Sequence, residues 1–282
     1  MTDPEFHVRR MAPNEVGLIR EWAAAEGWDP GLYDGPAFHA ADPEGFFLGL
    51  LSETPVGCAS AIRYGDGFGF FGQYIVRPPY RGIGYGLDIG RAGLAHLEGR
   101  NVGLDGVLDK VRTYERIGFR FAHYTSRYAG IGGGDQPSGL TPLADVPFAA
   151  VLKYDSMCFP APREPFLREW VRLPESIGLA AMAKDMLTGY GVLRKTAAGY
   201  KVGPLFADDA ETAARLLLGL IAAIPGQPFC IDLPDQTAQP NGGKLLQIFR
   251  LNEVFRTARM YTAGEPTFDR ARVFGITTLE LG

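Results

Sequence analysis

Arg81 stands directly behind Pro78-Pro79-Tyr80 and is followed by glycines at 82, 84 and 86. Glycine lets the backbone come close to a ligand, and the free amides at a helix start attract anions. An arginine adds a fork of donors that matches phosphate. The chemistry written here is that of a pyrophosphate-binding turn. The flanks position it. Phe68-Gly69-Phe70-Phe71-Gly72-Gln73-Tyr74-Ile75-Val76 is aromatic and β-branched and reads as a half-buried strand. Pro78-Pro79 stop both helix and ladder pairing. From Gly86 to Glu98 apolar residues recur at Leu87, Ile89, Leu94 and Leu97, a helical stripe closed by Gly99.

A dinucleotide fingerprint needs a third glycine where Leu87 stands, and no G-x-x-x-x-G-K-[ST] occurs. The pattern present, V-x-P-x-x-R-G-x-G-x-G, resembles the acetyl-coenzyme A signature of the GNAT superfamily of N-acetyltransferases. Downstream, Tyr114-Glu115-Arg116-Ile117-Gly118-Phe119 resembles that family's Y-E-x-x-G-F element. The resemblance implies that Ile75, Val76, Arg77, Arg81, Gly82, Ile83, Gly84, Tyr85 and Gly86 hold acetyl-CoA. It also implies that the Val76 amide polarises the thioester carbonyl and that Tyr114 protonates the departing sulfur. A core tyrosine on a short helix is the plainer reading of Tyr114.

The chain departs from the family where many relatives carry a glutamate before the glycine turn. Gln73 stands near that place, and an amide takes no proton at neutral pH, although it can orient a water. Glu26, Asp34 and Asp105 are carboxylates able to reach the cleft, although such a residue is more often a solvated charge or a cap. Trp28 and Tyr33 fall in the loop that walls the acceptor site in the superfamily, or they plug the sheet end. His39, His96 and His123 are scattered, and packing explains His96 best. No His/Cys/Asp cluster has metal-ligand spacing, so no metal is expected.

The element order supports the resemblance. Strands are expected at Phe6–Arg9, Gly45–Ser52, Pro55–Tyr64, Phe68–Val76, Asn101–Val107 and Gly118–Tyr128. A first helix should follow Asn14 as N-cap, with Val16, Ile19, Trp22 and Ala23 on one face. Short helices are expected at Phe38–Asp42 and Val111–Gly118. The five glycines between Gly130 and Gly139 mark a linker, which divides the chain at 1–138 and 139–282. Beyond it the pattern restarts, with strands at Val151–Asp155, Ile177–Ala183, Thr188–Leu193, Tyr200–Ala207, Phe229–Leu233, Arg256–Tyr261 and Val273–Leu281. Helices should lie at Pro165–Val171, Asp208–Ile224 and Leu245–Asn252. This half resembles the GNAT-like C-terminal domain of two-domain bacterial acetyltransferases. The expected fold is α/β of the α+β type, two tandem GNAT-like domains, each a mixed, mostly antiparallel sheet flanked by helices. Asp208, Asp209 and Glu211 fill the second junction instead of glycines, so acetyl-CoA is expected in the first domain only. Asp232 or Arg259 of the second domain would help wall the acceptor cleft.

Composition narrows the remainder. The 282 residues suffice for two domains, and the net charge of −4 comes without a basic run, which disfavours nucleic acid. Cys58, Cys158 and Cys230 are odd in number, far apart and in apolar surroundings, so they read as buried free thiols. No stretch is apolar and long enough to span a bilayer, and a cytoplasmic protein without membrane contact is expected. The expected activity is acetyl transfer from acetyl-CoA to a primary amine of a small or amino-acid-like molecule. The alternative is a non-catalytic acyl-CoA-binding regulatory or interaction module.

Overall fold

The computed structural model describes residues 5–235, 239 and 242–282. The first half runs β1 (Phe6–Arg10), α1 (Val16–Ala25), α2 (Gly35–Ala41), β2 (Phe46–Leu51), β3 (Thr54–Tyr64), β4 (Phe68–Val76), α3 (Tyr85–His96), β5 (Asn101–Val107), α4 (Val111–Arg116) and β6 (Arg120–Ile131). β2 and β3 are continuous apolar runs and are buried along almost their whole length, as strands covered on both faces should be. Asn14 is not the N-cap of α1. It lies within a 3-10 turn, and the Glu15 carboxylate accepts from the Ala12 amide at 2.8 Å while Arg9 holds it at 2.7 Å.

The second half runs β7 (Leu140–Pro142), α5 (Phe148–Cys158), α6 (Glu164–Trp170), β8 (Ile177–Ala183), β9 (Met186–Lys195), β10 (Tyr200–Ala207), α7 (Ala210–Ala222), β11 (Pro228–Pro234), α8 (Gly242–Phe249), β12 (Asn252–Tyr261) and β13 (Val273–Gly275). Residues 151–155 are helical rather than extended. Val151, Tyr154, Asp155 and Cys158 are the buried stripe of α5, at helical spacing. The last strand ends at Gly275, and residues 276–282 leave it to pack on the first half.

The halves share one mixed sheet, in the order β1-β2-β3-β4-β5-β12-β6-β11-β10-β9-β8-β7. β12 of the second half lies between β5 and β6 of the first, antiparallel to both. β6 in turn pairs with β11 from Thr125–Pro234 to Ile131–Pro228. Each half therefore completes its sheet with a strand of the other. A chain ending at Gly139 lacks the strand that bridges β5 and β6, and should not fold alone. Circular dichroism of that fragment should show no cooperative melt, and a sharp transition would overturn the interlocked reading. The core crosses the same boundary. Phe38 of α2 stacks on Trp170 of α6 at 6.1 Å, and the buried Trp170 indole donates to the Gly203 carbonyl at 3.0 Å.

Two openings interrupt the sheet at its parallel pairs. β4 and β5 are in register only at Phe68–Phe70 with Asn101–Gly103, and beyond that they splay. β10 and β11 pair only at Tyr200–Val202 with Phe229–Ile231. The second opening is closed, because β13 lies antiparallel on β10 and the Ile276 amide donates to the Asp232 carbonyl at 3.0 Å. The first opening remains a cleft.

Candidate active site

The splay between β4 and β5 opens into a cleft of about 630 Å3. Gly72 to Val76 form one edge, and Leu104, Asp105 and Val107 the other. The glycine turn closes one end. After the 3-10 turn Pro78–Tyr80, Gly82 and Gly84 take φ of 81° and 102°, values that L side chains rarely adopt. Gly84 is the residue before the first turn of α3, so amides of α3 face the cleft end. No atom lies within 4 Å of where a Cβ would stand at Gly82 or Gly84, which leaves room for a ligand against bare backbone. Gly86 has another reason to lack a side chain, since its Cβ would meet the Tyr74 hydroxyl at 2.6 Å. The Arg81 guanidinium donates through Nε to the Val76 carbonyl at 2.7 Å and forms an ion pair with Glu26. These residues fit the pyrophosphate and pantetheine of a coenzyme A.

Tyr114 stands on the β5 side, and its ring lies against Gly106, where a Cβ would come within 2.7 Å of it. Phe119 braces the ring edge-on at 6.2 Å. Burial, with Tyr74 and Asp109 nearby, pushes its pKa up to about 12. The hydroxyl is therefore a proton donor throughout the neutral range.

Of the residues singled out by sequence, Ile75, Val76, Arg81, Gly82, Gly84, Gly86, Tyr114, Trp28 and Gln73 line one cleft. Arg77, Ile83, Tyr85, Tyr33 and Asp232 are outside its lining. Arg77 turns away, donating to the Pro55 carbonyl at 2.8 Å beneath Trp22. Ile83 is exposed, and Tyr85 stacks on Phe6 at 4.4 Å. The Tyr33 hydroxyl bonds Glu175 on the surface. Asp232 is buried behind the wall, where it takes both Nε and Nη2 of Arg127 at 2.7 and 2.9 Å. Arg259 is likewise consumed, by Asp105 at 2.9 and 2.6 Å. Arg127 and Asp105 face the cleft with their partners behind them.

The carboxylates fall into distinct states. Glu26 is in the cleft and paired with Arg81. Asp34 is buried against Arg194 and faces a second cavity of about 390 Å3 under α1 and α2. Burial pushes Asp34 up in spite of that arginine. Gln73 sits between the two cavities at a break in the β3–β4 register, with φ of 47°. Its buried Oε1 has no hydrogen-bond partner among the described residues. His96 is structural, 2.9 Å from Asp42. Cys58, Cys158 and Cys230 are free and buried. Among the described residues no group of three His, Cys, Asp or Glu is placed to hold a metal.

The sequence reading did not find what the second half contributes. Phe255 and Thr257 of β12 form part of the wall, and Leu279 and Glu280 part of the floor. β12 reaches the cleft only through the strand exchange, and no local pattern announces that. Glu280 lies in a segment that reads as strand but leaves the sheet after Gly275.

The comparisons with known proteins agree with this architecture. Residues 15–119 match a family described as "Acetyltransferase (GNAT) family", and residues 151–275 one described as "Acetyltransferase (GNAT) domain". The crystal structure of a Pyrococcus horikoshii protein assigned as an acetyltransferase superposes with a TM-score of 0.83 at 21% identity, over 100% of this chain and 97% of that one. A tandem GNAT protein from the clavulanic acid biosynthesis pathway superposes at 0.63 and 14% identity, over 93% and 100%. The fold is thus a tandem pair of GNAT domains. In sequence, the chain is 33% identical over 271 residues to holothin acyltransferase of Pseudoalteromonas sp. (strain SANK 73390), covering 95% of this chain and 92% of that protein. The chain belongs to the GNAT acetyltransferase family, and its class of reaction is acyl transfer from an acyl-coenzyme A.

No helix among the described residues is long and apolar enough to cross a membrane.

Proposed function

We propose that this chain transfers an acetyl group from acetyl-CoA to an amine of a small molecule, at the cleft between β4 and β5. The observation that carries the reading is that the glycine turn after β4 and Tyr114 of α4 line one cleft between the splayed strands. Bound acetyl-CoA supplies an acyl group activated as a thioester. Gly82, Gly84 and the start of α3 hold its phosphates, and Arg81 adds charge there. The Val76 amide donates to the acyl oxygen, where negative charge gathers as the amine attacks. Tyr114 gives a proton to the sulfur as the C–S bond breaks. The likeness to holothin acyltransferase makes holothin the first acceptor to try. Incubation with acetyl-CoA and holothin or a set of primary amines, followed by free thiol and product mass, tests the reading. Coenzyme A binding without thiol release on any acceptor would count against it and favour a binding module.

One coenzyme A per chain is expected. In the second half Asp209 caps α7 by accepting from the Thr212 amide at 2.7 Å, which occupies the anion position. β13 fills the opening that a pantetheine arm would need. Calorimetric titration of the intact chain should give a single site, and a second equivalent would refute the assignment of the two halves.

A further inference from the structure

Two buried oxygen acceptors of residues lining the cleft have no donor among the described residues. One is Gln73 Oε1 and the other Glu280 Oε2. A buried acceptor left without a partner costs roughly 1–3 kcal/mol, so each calls for a donor that the neighbouring side chains do not supply. Glu280 differs from the buried acids around it. Asp105, Asp155 and Asp232 each take an arginine fork, and Asp34 pairs with Arg194. Glu280 forms no such pair among the described residues, although only 6% of it is exposed.

We propose that Glu280 is the residue that receives the acceptor amine. Its carboxylate, part of the cleft floor, takes a hydrogen bond from the attacking nitrogen of the neutral amine. As the N–C bond forms and the C–S bond breaks, the nitrogen passes one proton to Glu280, and Tyr114 gives one to sulfur. Exchange with solvent water resets both groups. This deepens the proposed function and rests on it.

The backbone of the tail is held firmly around Glu280. Amides of Glu280 and Leu281 donate to Thr278 Oγ1 at 2.9 Å, and the Tyr64 hydroxyl donates to the Leu281 carbonyl at 3.1 Å. The Glu280 carbonyl lies so close to Gly72 that a Cβ there would be 2.0 Å away. Lys201 of β10, Arg194 of β9 and Arg127 of β6 face Glu280 as cations. Asp232 of β11, Asp34 before α2 and Asp105 of β5 face it as anions. Burial alone would raise its pKa, but the three cations outweigh burial and the net direction is down. The group is therefore ionised at neutral pH and able to accept. Its basicity is low, and that suffices, because the nitrogen becomes acidic once it bonds to the acyl carbon.

The test uses the intact chain saturated with coenzyme A, titrated above the pKa of the amine, where benzylamine is mostly the neutral base, with benzylamine and with benzyl alcohol. Wild type should prefer the amine by about tenfold or more, which is about 1.4 kcal/mol. Glu280→Gln should lose that preference while coenzyme A affinity stays within about twofold. Glu280→Asp keeps the charge of the cluster but withdraws the oxygens by one methylene, so it should fold and still lose most of the preference. If Glu280→Gln fails to fold, the aspartate variant decides. An undiminished preference in a folded variant, or none in wild type, overturns the proposal. With acetyl-CoA and holothin, kcat/KM should fall by about a hundredfold in Glu280→Gln. Absence of turnover in wild type would instead speak against the proposed function, since the binding arm needs no transfer.

Discussion

Replacing Gly84 by valine should abolish measurable coenzyme A binding and leave the protein folded. Gly84 takes φ of 102° at the residue before α3. A side chain in such a region costs on the order of 1–3 kcal/mol, and a β-branched one sits at the upper end. The backbone can escape that cost only by leaving the conformation that aims its neighbours' amides into the cleft. The surroundings do not oppose the new atoms, because nothing lies within 4 Å of the Cβ position. The damage should thus fall on the ligand and not on the core. A loss of about a hundredfold or more in calorimetric affinity is expected, equivalent to about 2.7 kcal/mol. Thermal melting should move by only a few degrees. Wild-type affinity in this variant would remove the glycine turn from the site. Arg81→Glu should be weaker and salt-sensitive, because Arg81 is half exposed and its attraction for phosphate is screened.

Tyr114→Phe should lower the rate of acyl transfer by about a hundredfold or more, with coenzyme A affinity almost unchanged. The ring keeps its contacts with Gly106 and Phe119, so phenylalanine fills the same space. Only the hydroxyl is lost. Because the raised pKa keeps Tyr114 protonated below about 12, its ionisation should cause no fall in wild-type rate between pH 7 and roughly 10. A variant within about twofold of wild type would make Tyr114 a packing residue.

What could be read in the chain without a structure was local. Phe68–Val76 and Asn101–Val107 are strands at the expected residues, because aromatic and branched side chains run up to a hard stop at Pro78 or a turn at Leu108. Lys184 and Asp185 form the turn between the expected strands Ile177–Ala183 and Thr188–Leu193, both with positive φ. Local reading went astray where a short apolar run suited two periods. Val151 to Asp155 looked extended, yet the stripe through Cys158 belongs to a helix. The glycine turn and Tyr114 were legible because their chemistry lies within a few residues of sequence. The floor was not. Phe255, Thr257 and Glu280 reach the cleft by pairing between distant segments, and nothing near them in sequence says which strand they will meet. Asp232 is expected at the wall of the cleft, but its cation, Arg127, is supplied by a strand of the other half and holds the carboxylate behind that wall.

The exchange of β6 and β12 also sets an order of events during synthesis. Val107 pairs with Thr257, and Gly103 with Tyr261. While the ribosome is still making the second half, the first cannot complete the sheet on which its own cleft depends. β5 and β6 must wait as open edges, the condition in which strands most readily join a wrong neighbour. Such distant pairing also folds slowly, since a long loop must close before the contact is gained. The second half is then retained as the partner that lets the first finish folding, whether or not it binds a ligand. Mutations that weaken β12 should therefore lower the yield of folded protein well before they touch the chemistry.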